Sequence, residues 1–156
     1  MSFIPNLRVD YDGSAHASSL TGSYLAENAF KPQHVDSSKP WANHQSRKFP
    51  HFVWFQFKEP KIMTKIGFST RMGIFRQVVK KFDVIAAASF GTGCGSWRIL
   101  LSVENAGFER SNQAKVWSIP EKNQAPYFCF GLKIHSNTDG GVYVSVQNMV
   151  MWERRF

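Results

Sequence analysis

The feature that most constrains the fold is the repetition of short strand-like segments along the whole chain. Apolar or alternating runs rich in Val, Ile, Phe and Trp recur about every 10–15 residues and are separated by Gly, Pro and Asn. Helical periodicity, with apolar residues three and four positions apart, is scarce. The pattern is typical of an all-β sandwich or barrel and predicts seven or eight strands.

The predicted strands follow one another without a linker, a repeat or a low-complexity block. They are residues 52–57, 65–70, 79–89, 97–105, 115–120, 127–136 and 142–152. Pro60 is expected to end the first of them. The segment 23–48 is irregular apart from a helical turn at 26–30, and TDGG at 138–141 predicts a turn. A chain of 156 residues fits a single domain, 1–156.

The stretch 48–71 concentrates aromatic and basic residues. In HFVWFQF, 51–57, both alternating faces are largely apolar, which predicts an inner strand covered on both sides. The aromatic side chains are therefore expected in the core, while Lys48 and Arg71 flank the strands at their ends. Trp41, alone after the irregular segment, is predicted to plug the barrel.

The charge indicates an anionic partner. A formal charge of +8 and a pI of about 9.7 suit an acidic glycan, a lipid surface or nucleic acid, and a merely soluble basic protein is the alternative. Nucleic acid is disfavoured because no recognised motif supports it. The acidic residues are scattered, and GTGCGSW at 91–97 opens a strand instead of a phosphate-binding helix, so the chain is predicted not to be an enzyme.

The cysteines and the N-terminus bear on the compartment. Cys94 and Cys129 could pair, but spacing alone does not decide it, and the apolar run around Cys129 favours a buried thiol. The N-terminus lacks a basic flank followed by an apolar run, and no stretch is long enough to span a membrane. The chain is therefore expected to be cytoplasmic, unless it is a processed or non-classically secreted form.

Several short sequence segments occur in an order that one family shares. They are ASS at 17–19, AENAF at 26–30, Trp41, FVWFQFKEP at 52–60, KIMTKIGFSTRMG at 61–73, VKKFDVIAAAS at 79–89, SW at 96–97, APYFCFGLKI at 125–134 and VSVQNMVMWE at 144–153. Over about 15–153 the chain resembles the discoidin domain, also called the coagulation factor 5/8 C-terminal-type domain. It resembles a divergent member, because neither end carries a Cys, Phe57 replaces an acidic residue, and the family's Arg-Tyr pair is missing.

The resemblance implies an antiparallel jelly-roll β-sandwich of the galactose-binding-like type with about eight strands. In such domains the ligand meets loops at one end, which by position are Leu20–Leu25, Asn43–Lys48 and Arg71–Val78. The family binds glycans, anionic phospholipid heads or protein partners and is not catalytic. The chain is thus predicted to be a lectin-like module for carbohydrate or anionic glycan. The alternatives are a membrane-surface module and an intracellular protein adaptor.

The predicted ligand-binding residues on these loops combine cations, apolar tips and an aromatic ring. They are Tyr24, Asn43, His44, Arg47, Lys48, Arg71, Phe75 and Arg76. Arg offers bidentate hydrogen bonds to carboxylate or sulfate. Tyr24 could stack on a sugar, whereas Phe75 could insert into a membrane or fold back into the core. No cofactor is required, and the resemblance admits a structural Ca²⁺ near Glu27 and Asp36, which would need further oxygen ligands.

Overall fold

The computed structural model describes residues 4–30, 39–45, 48–71, 73, 75–88 and 94–155. Within these ranges the chain is all-β, as predicted, with two short 3₁₀ helices, Ala26–Ala29 and Glu121–Asn123. The strands are β1 (Ile4–Arg8), β2 (Gly13–Ala17), β3 (Trp41–Ala42), β4 (His51–Ser69), β5 (Val79–Ala87), β6 (Arg98–Val103), β7 (Ala114–Ser118), β8 (Pro126–Asn137) and β9 (Ser145–Arg155). In the described part of the chain, no helix has the length and apolar character needed to cross a membrane.

The strands form two layers of antiparallel strands. One layer has the order β2-β4-β8-β5-β6, and the other has the order β1-β9-β4-β7, with β3 paired to the start of β9. The layers are continuous because β4 contributes its first half to one and its second half to the other. This arrangement confirms the predicted antiparallel sandwich.

The prediction that Pro60 separates two strands was wrong. Residues 51–69 form one 19-residue strand. The register of β4 with β8 shifts between Gln56 and Lys61, and Pro60 is exposed where the chain passes between the layers. A proline without an amide donor is tolerated at such a bend, because no ladder hydrogen bond is required of it there.

The aromatic stretch divides between two environments, which corrects the prediction of a strand covered on both sides. Val53, Phe55 and Phe57 point into the core and are at most 5% exposed. Phe52 and Trp54 alternate with them and are half-buried on the outer face of the layer. Each inward Phe contributes about 1.5–3 kcal/mol to folding through burial. Trp41 is fully buried, as predicted.

The two cysteines form a disulfide, contrary to the expectation of a buried thiol at Cys129. Cys129 lies on β8 opposite Ala87, the last residue of β5. Cys94 lies in the connection from β5 to β6, and its Cα is 6.2 Å from that of Cys129. Apolar alternation around Cys129 predicted its burial correctly, but burial does not distinguish a thiol from a disulfide sulfur.

Strand pairing brings several connections to one end of the sandwich. Strands β2 and β8 end there, β5 and β9 begin there, and β4 both begins and ends there. The described parts of residues 18–50, 70–78, 104–113 and 138–144 therefore lie together, and we call this region the loop end. It contains the loops that the sequence predicted as ligand-binding.

Candidate binding site at the loop end

The Arg71 side chain is held by two other side chains at the loop end. Its Nη2 donates to Tyr24 Oη at 3.0 Å, and its Nη1 donates to Gln77 Oε1 at 3.3 Å. The guanidinium carbon lies 5.1 Å from the centroid of the Tyr24 ring, within cation–π range. The side chain is half-buried, and the Arg71 carbonyl accepts a hydrogen bond from the Asn112 amide at 3.2 Å. Two predicted site residues, Tyr24 and Arg71, are thus brought into direct contact.

The partners of the Arg71 side chain are neutral. Among the described residues no carboxylate forms a salt bridge with it. A guanidinium has more N–H groups than the contacts with Tyr24 and Gln77 use. The site therefore presents an oriented positive charge with donors to spare, which suits a carboxylate, a sulfate or a set of hydroxyls.

Asn43, which the sequence predicted to bind ligand, lies in the interior of the loop end. It is fully buried, and its Nδ2 donates to the carbonyls of Val142 at 2.9 Å and His44 at 3.1 Å. Its Oδ1 accepts the Val144 amide at 2.6 Å, and its carbonyl accepts the Thr21 hydroxyl at 2.7 Å. The side-chain amide of Asn43 thus has its hydrogen-bond partners within the protein. Its contacts link three connections of the loop end to one another.

His44 and Lys48 are exposed on the segment that leads into β4. The His44 backbone amide donates to Ser19 Oγ at 3.0 Å, so this segment is fixed against the connection that follows β2. Arg47, also predicted to bind ligand, lies outside the described residues. The structure places His44 and Lys48 at the loop end and leaves their contact with a ligand as a prediction.

Phe75 and Arg76 project from the connection between β4 and β5. Phe75 is 45% exposed, so it does not fold back into the core, and Arg76 is exposed as well. The neighbouring Gln77 adopts a positive φ of 59°. Its carbonyl accepts the Ser145 amide at 2.9 Å and its amide donates to Asp139 Oδ2 at 3.4 Å. These bonds anchor the loop that carries both predicted residues.

The connection 138–144 belongs to the loop end and was missed as a site element. Its Tyr143 Oη donates to Gln45 Oε1 at 3.1 Å, and Val142 is 51% exposed. Gly140 takes a φ of 72°, which the turn requires and which other residues adopt at a cost. The TDGG motif identified the turn correctly. Its place beside the other loops depends on the pairing of β8 and β9, which the motif does not specify.

Exposed apolar side chains concentrate at the loop end. Four of the six large hydrophobic residues that are exposed in the described chain lie there, and they are Leu20, Leu25, Phe75 and Val142. The other two, Ile99 and Val116, lie on strands. The loop end therefore combines exposed apolar side chains with cations.

The calcium prediction stays a prediction. Glu27 is exposed on the first 3₁₀ helix, and Asp36 lies outside the described residues. Within the part of the chain that the structure describes, no cluster of three His, Cys, Asp or Glu side chains could hold a metal ion. A calcium site built on carbonyl oxygens would need ligands beyond these two carboxylates.

A groove of about 1120 Å³ lies along one side of the sandwich. Phe30, Phe55 and Met149 contribute apolar wall, and Glu27 and Arg8 contribute charge. It shares no residue with 18–25, 43–48, 71–78 or 138–144. The Tyr11 hydroxyl on its wall donates to the Met149 carbonyl at 2.5 Å, and burial raises the pKa of that hydroxyl. The groove therefore lies beside the predicted ligand-binding loops, and Asn112, whose amide donates to the Arg71 carbonyl, is part of its wall.

Comparison with known proteins identifies the fold. No family model and no curated protein matches the sequence. The family 32 carbohydrate-binding module of Clostridium perfringens NanJ, in complex with galactose, matches with a TM-score of 0.69 and 14% identity over 90% of this chain and 93% of that one. A Streptococcus pneumoniae fucose-binding module matches at 0.67 and 15%, over 94% and 95%. The family 32 module of AlyQ, in complex with 4,5-unsaturated mannuronic acid, matches at 0.67 and 13%, over 93% and 97%.

These modules are galactose-binding-like, discoidin-type domains. The predicted fold type is thereby confirmed over nearly the whole chain.

Proposed function

We propose that the protein is a non-catalytic carbohydrate-binding module whose loop end recognises a glycan. The observation that carries the proposal is the half-buried Arg71 guanidinium, oriented by Tyr24 and Gln77 and without a carboxylate partner among the described residues. Tyr24 and Gln77 already restrict the Arg71 side chain before a ligand binds. An anionic or hydroxyl-rich ligand would therefore lose less binding free energy to the ordering of this side chain. The sugar-binding modules of the same fold support this direction.

The surroundings of Arg71 favour a sugar that carries an acidic group. A carboxylate or sulfate would complete the guanidinium with charge-assisted hydrogen bonds. His44, Lys48 and Arg76, exposed on neighbouring segments, add positive or protonatable groups. The AlyQ module, which holds an unsaturated mannuronic acid, supports an acidic sugar as the first ligand to test.

The acidic residues of the loop end support a binding role without catalysis. Asp139 accepts the backbone amides of Gln77 at 3.4 Å and Gly141 at 3.1 Å, so its carboxylate organises the turn. Hydrolysis of a glycosidic bond usually requires a second carboxylate at a defined separation. In the described chain, Glu104 pairs with Lys81 at 3.6 Å. Glu27 and Glu109 are exposed at the same end, and our proposal assigns to it recognition without bond cleavage.

Calorimetric titration with galacturonate and with galactose tests the proposal. Arg71→Ala should weaken binding of galacturonate by roughly 10- to 100-fold, the loss expected for a charge-assisted hydrogen-bonded contact. Arg71→Lys should recover only part of it, because an ammonium is not a bidentate donor. Arg98→Ala, an exposed arginine at the start of β6, is the matched control and should bind as the wild type does. Equal affinity of Arg71→Ala and wild type for every sugar on a glycan array would sink the proposal.

A second candidate function is binding to an anionic membrane surface. It is favoured by the exposed Leu20, Phe75 and Val142, which share the loop end with Lys48 and Arg76. Apolar tips can insert between lipid heads while cations meet anionic groups. Flotation with phosphatidylserine vesicles tests it. Phe75→Ala and Arg76→Ala should each reduce the bound fraction, and failure of the wild type to float would exclude it.

The disulfide supports an oxidising compartment for this module. Cys94 and Cys129 pair in the structure, and stable disulfides are rare in the reducing cytosol. We propose that the module works in such a compartment, which makes the intracellular adaptor the less favoured alternative. Mass spectrometry of the protein from its native source, after alkylation without reductant, checks this. Two alkylated cysteines would contradict it.

A further inference from the structure

The outer face of the β2-β4-β8-β5-β6 layer carries a row of aromatic rings. We call His16, Phe52, Trp54 and Trp97 the aromatic strip. His16 and Trp54 stack with their planes 16° apart and centroids 5.5 Å apart. Trp97 meets Trp54 edge to face at 5.4 Å and lies 6.4 Å from Phe52. All four side chains are half-buried, so each also contacts solvent.

Two features fix the strip before any ligand arrives. Gly131 is the β8 partner of Trp54 and leaves the sheet surface beside the indole without a side chain, where a Cβ would collide with the backbone of Val53 and Trp54. The disulfide attaches Cys94, three residues before Trp97, to β8. Rings held on strands and a short stapled segment lose little freedom when a ligand binds.

Polar groups border the strip and leave it neutral to basic. Lys133 Nζ lies 5.8 Å from the Phe52 centroid on the neighbouring strand. Asp83, the carboxylate opposite Lys133, is already bound by His135 at 2.8 Å and Ser102 at 2.7 Å. On the other border Ser14 Oγ lies 2.7 Å from His16 Nε2. The face therefore offers ring area together with cationic and hydroxyl groups.

We propose that the aromatic strip is a second binding surface, which takes a linear acidic polysaccharide along the sheet. Sugar rings have apolar faces that pack on aromatic side chains, and their hydroxyl and carboxylate groups would reach Lys133 and Ser14. Charge complementarity favours an acidic polymer, because Lys133 is positively charged and the carboxylate of Asp83 is already paired with His135. A glycan with amino groups would find the carboxylate of Asp83 already paired. The proposal uses residues that the loop-end function does not use.

Affinity electrophoresis in gels that contain polygalacturonate tests this surface. The wild type should be retarded relative to a polymer-free gel. Trp97→Ala should raise the apparent dissociation constant roughly tenfold, as expected for a lost aromatic contact. Lys133→Gln should weaken retardation and reduce its dependence on salt. Val116→Ala, an exposed apolar change on β7 in the other layer, is the matched control and should migrate as the wild type does.

The outcomes separate this surface from the loop end. Calorimetry with galacturonate monosaccharide should be unchanged in Trp97→Ala and Lys133→Gln, which also shows that both variants are folded. Arg71→Ala should lose monosaccharide binding and keep the part of the polymer retardation that depends on Trp97 and Lys133. Should the loop end bind no sugar at all, dependence of polymer retardation on Trp97 and Lys133 would still support the strip. Retardation that is absent in the wild type, unchanged in both strip variants, or abolished by Arg71→Ala alone would overturn it.

Discussion

The loop end and the aromatic strip place their exposed groups by different physical means. At the loop end, side chains of one connection bond to the backbone of another, as Asn43 does with Val142 and Val144. On the strip, sheet register and the disulfide position the rings. The first arrangement depends on a few buried polar contacts, and the second depends on packing. The two regions should therefore fail under different substitutions.

The comparison also separates two kinds of interaction with a ligand. Arg71 offers an oriented charge, so the affinity of the loop end for an acidic sugar should fall with added salt. The strip offers mainly aromatic area, with Lys133 at its border, so part of its affinity should persist at high salt. One chain thus allows both contributions to be measured in the same fold.

Removal of the disulfide should lower the unfolding free energy more than any other change proposed here. It should also weaken polymer binding by the aromatic strip and leave sugar binding at the loop end. Cys94 and Cys129 are 35 residues apart, and releasing a loop of this length costs about 4 kcal/mol of unfolding free energy. For a domain of this size the melting temperature should drop by roughly 8–16 °C. The Cys94→Ser/Cys129→Ser variant is measured by thermal denaturation and by polymer retardation.

Galacturonate binding at the loop end serves as the control for that variant. It should be retained below the lowered melting temperature, because the disulfide lies at the opposite end of β5 and β8 from the loop end. Equal loss at both regions would show that they are not independent.

Loss of the Asn43 side chain should break the loop end instead. Asn43→Ala leaves the Val142 carbonyl and the Val144 amide without their buried partner, at a cost of about 2 kcal/mol in unfolding free energy. Sugar binding should weaken because the connection 138–144 is released, and polymer retardation should persist. Urea denaturation and calorimetry measure the two effects. Gln45→Ala, which removes only an exposed bond to Tyr143, should have a much smaller effect on stability.

Lowering the pH should have a smaller effect on the unfolding free energy, and we attribute it to His51, the first residue of β4. His51 is 1% exposed, and burial lowers its pKa from the ordinary value of 6.5. The folded protein therefore keeps this imidazole neutral, while the unfolded chain takes up a proton near pH 6.5. Stability should be constant above that pH with respect to this group and should fall as the pH drops below it.

Melting temperatures measured between pH 7.5 and pH 5.5 check the titration. His51→Gln should flatten the slope, because it removes the imidazole whose pKa is lowered by burial. A slope that survives in His51→Gln would assign the pH dependence to another group.

The sequence predicted those parts of the molecule that depend on local pattern. Alternation and turn residues located most of the strands, and the family resemblance placed Tyr24 and Arg71 on loops that do meet. The continuity of β4 through Pro60 was not predictable from the sequence. Proline ends a strand within one sheet, and the sequence does not show that the chain passes from one layer to the other at this point.

The remaining differences have a common physical origin in long-range pairing. The burial of Asn43 depends on the residues around position 142, almost a hundred positions later. The disulfide depends on the β5–β8 register, and the strip depends on which face of β4 is turned outward. Hydrophobicity alone assigned both faces of 51–57 to the core, since a half-buried aromatic row and a core-facing row have the same composition.

The most direct test of the loop-end proposal is a titration of ¹⁵N-labelled protein with galacturonate, followed by chemical-shift mapping. The proposal predicts saturable shifts of the backbone amides of Tyr24, His44, Arg71 and Tyr143, and of the Arg71 side chain. It predicts no shifts at Trp54 or Trp97 with the monosaccharide. Saturable shifts confined to the outer face of the sheet, or none at any sugar concentration that saturates the calorimetric signal, would contradict it.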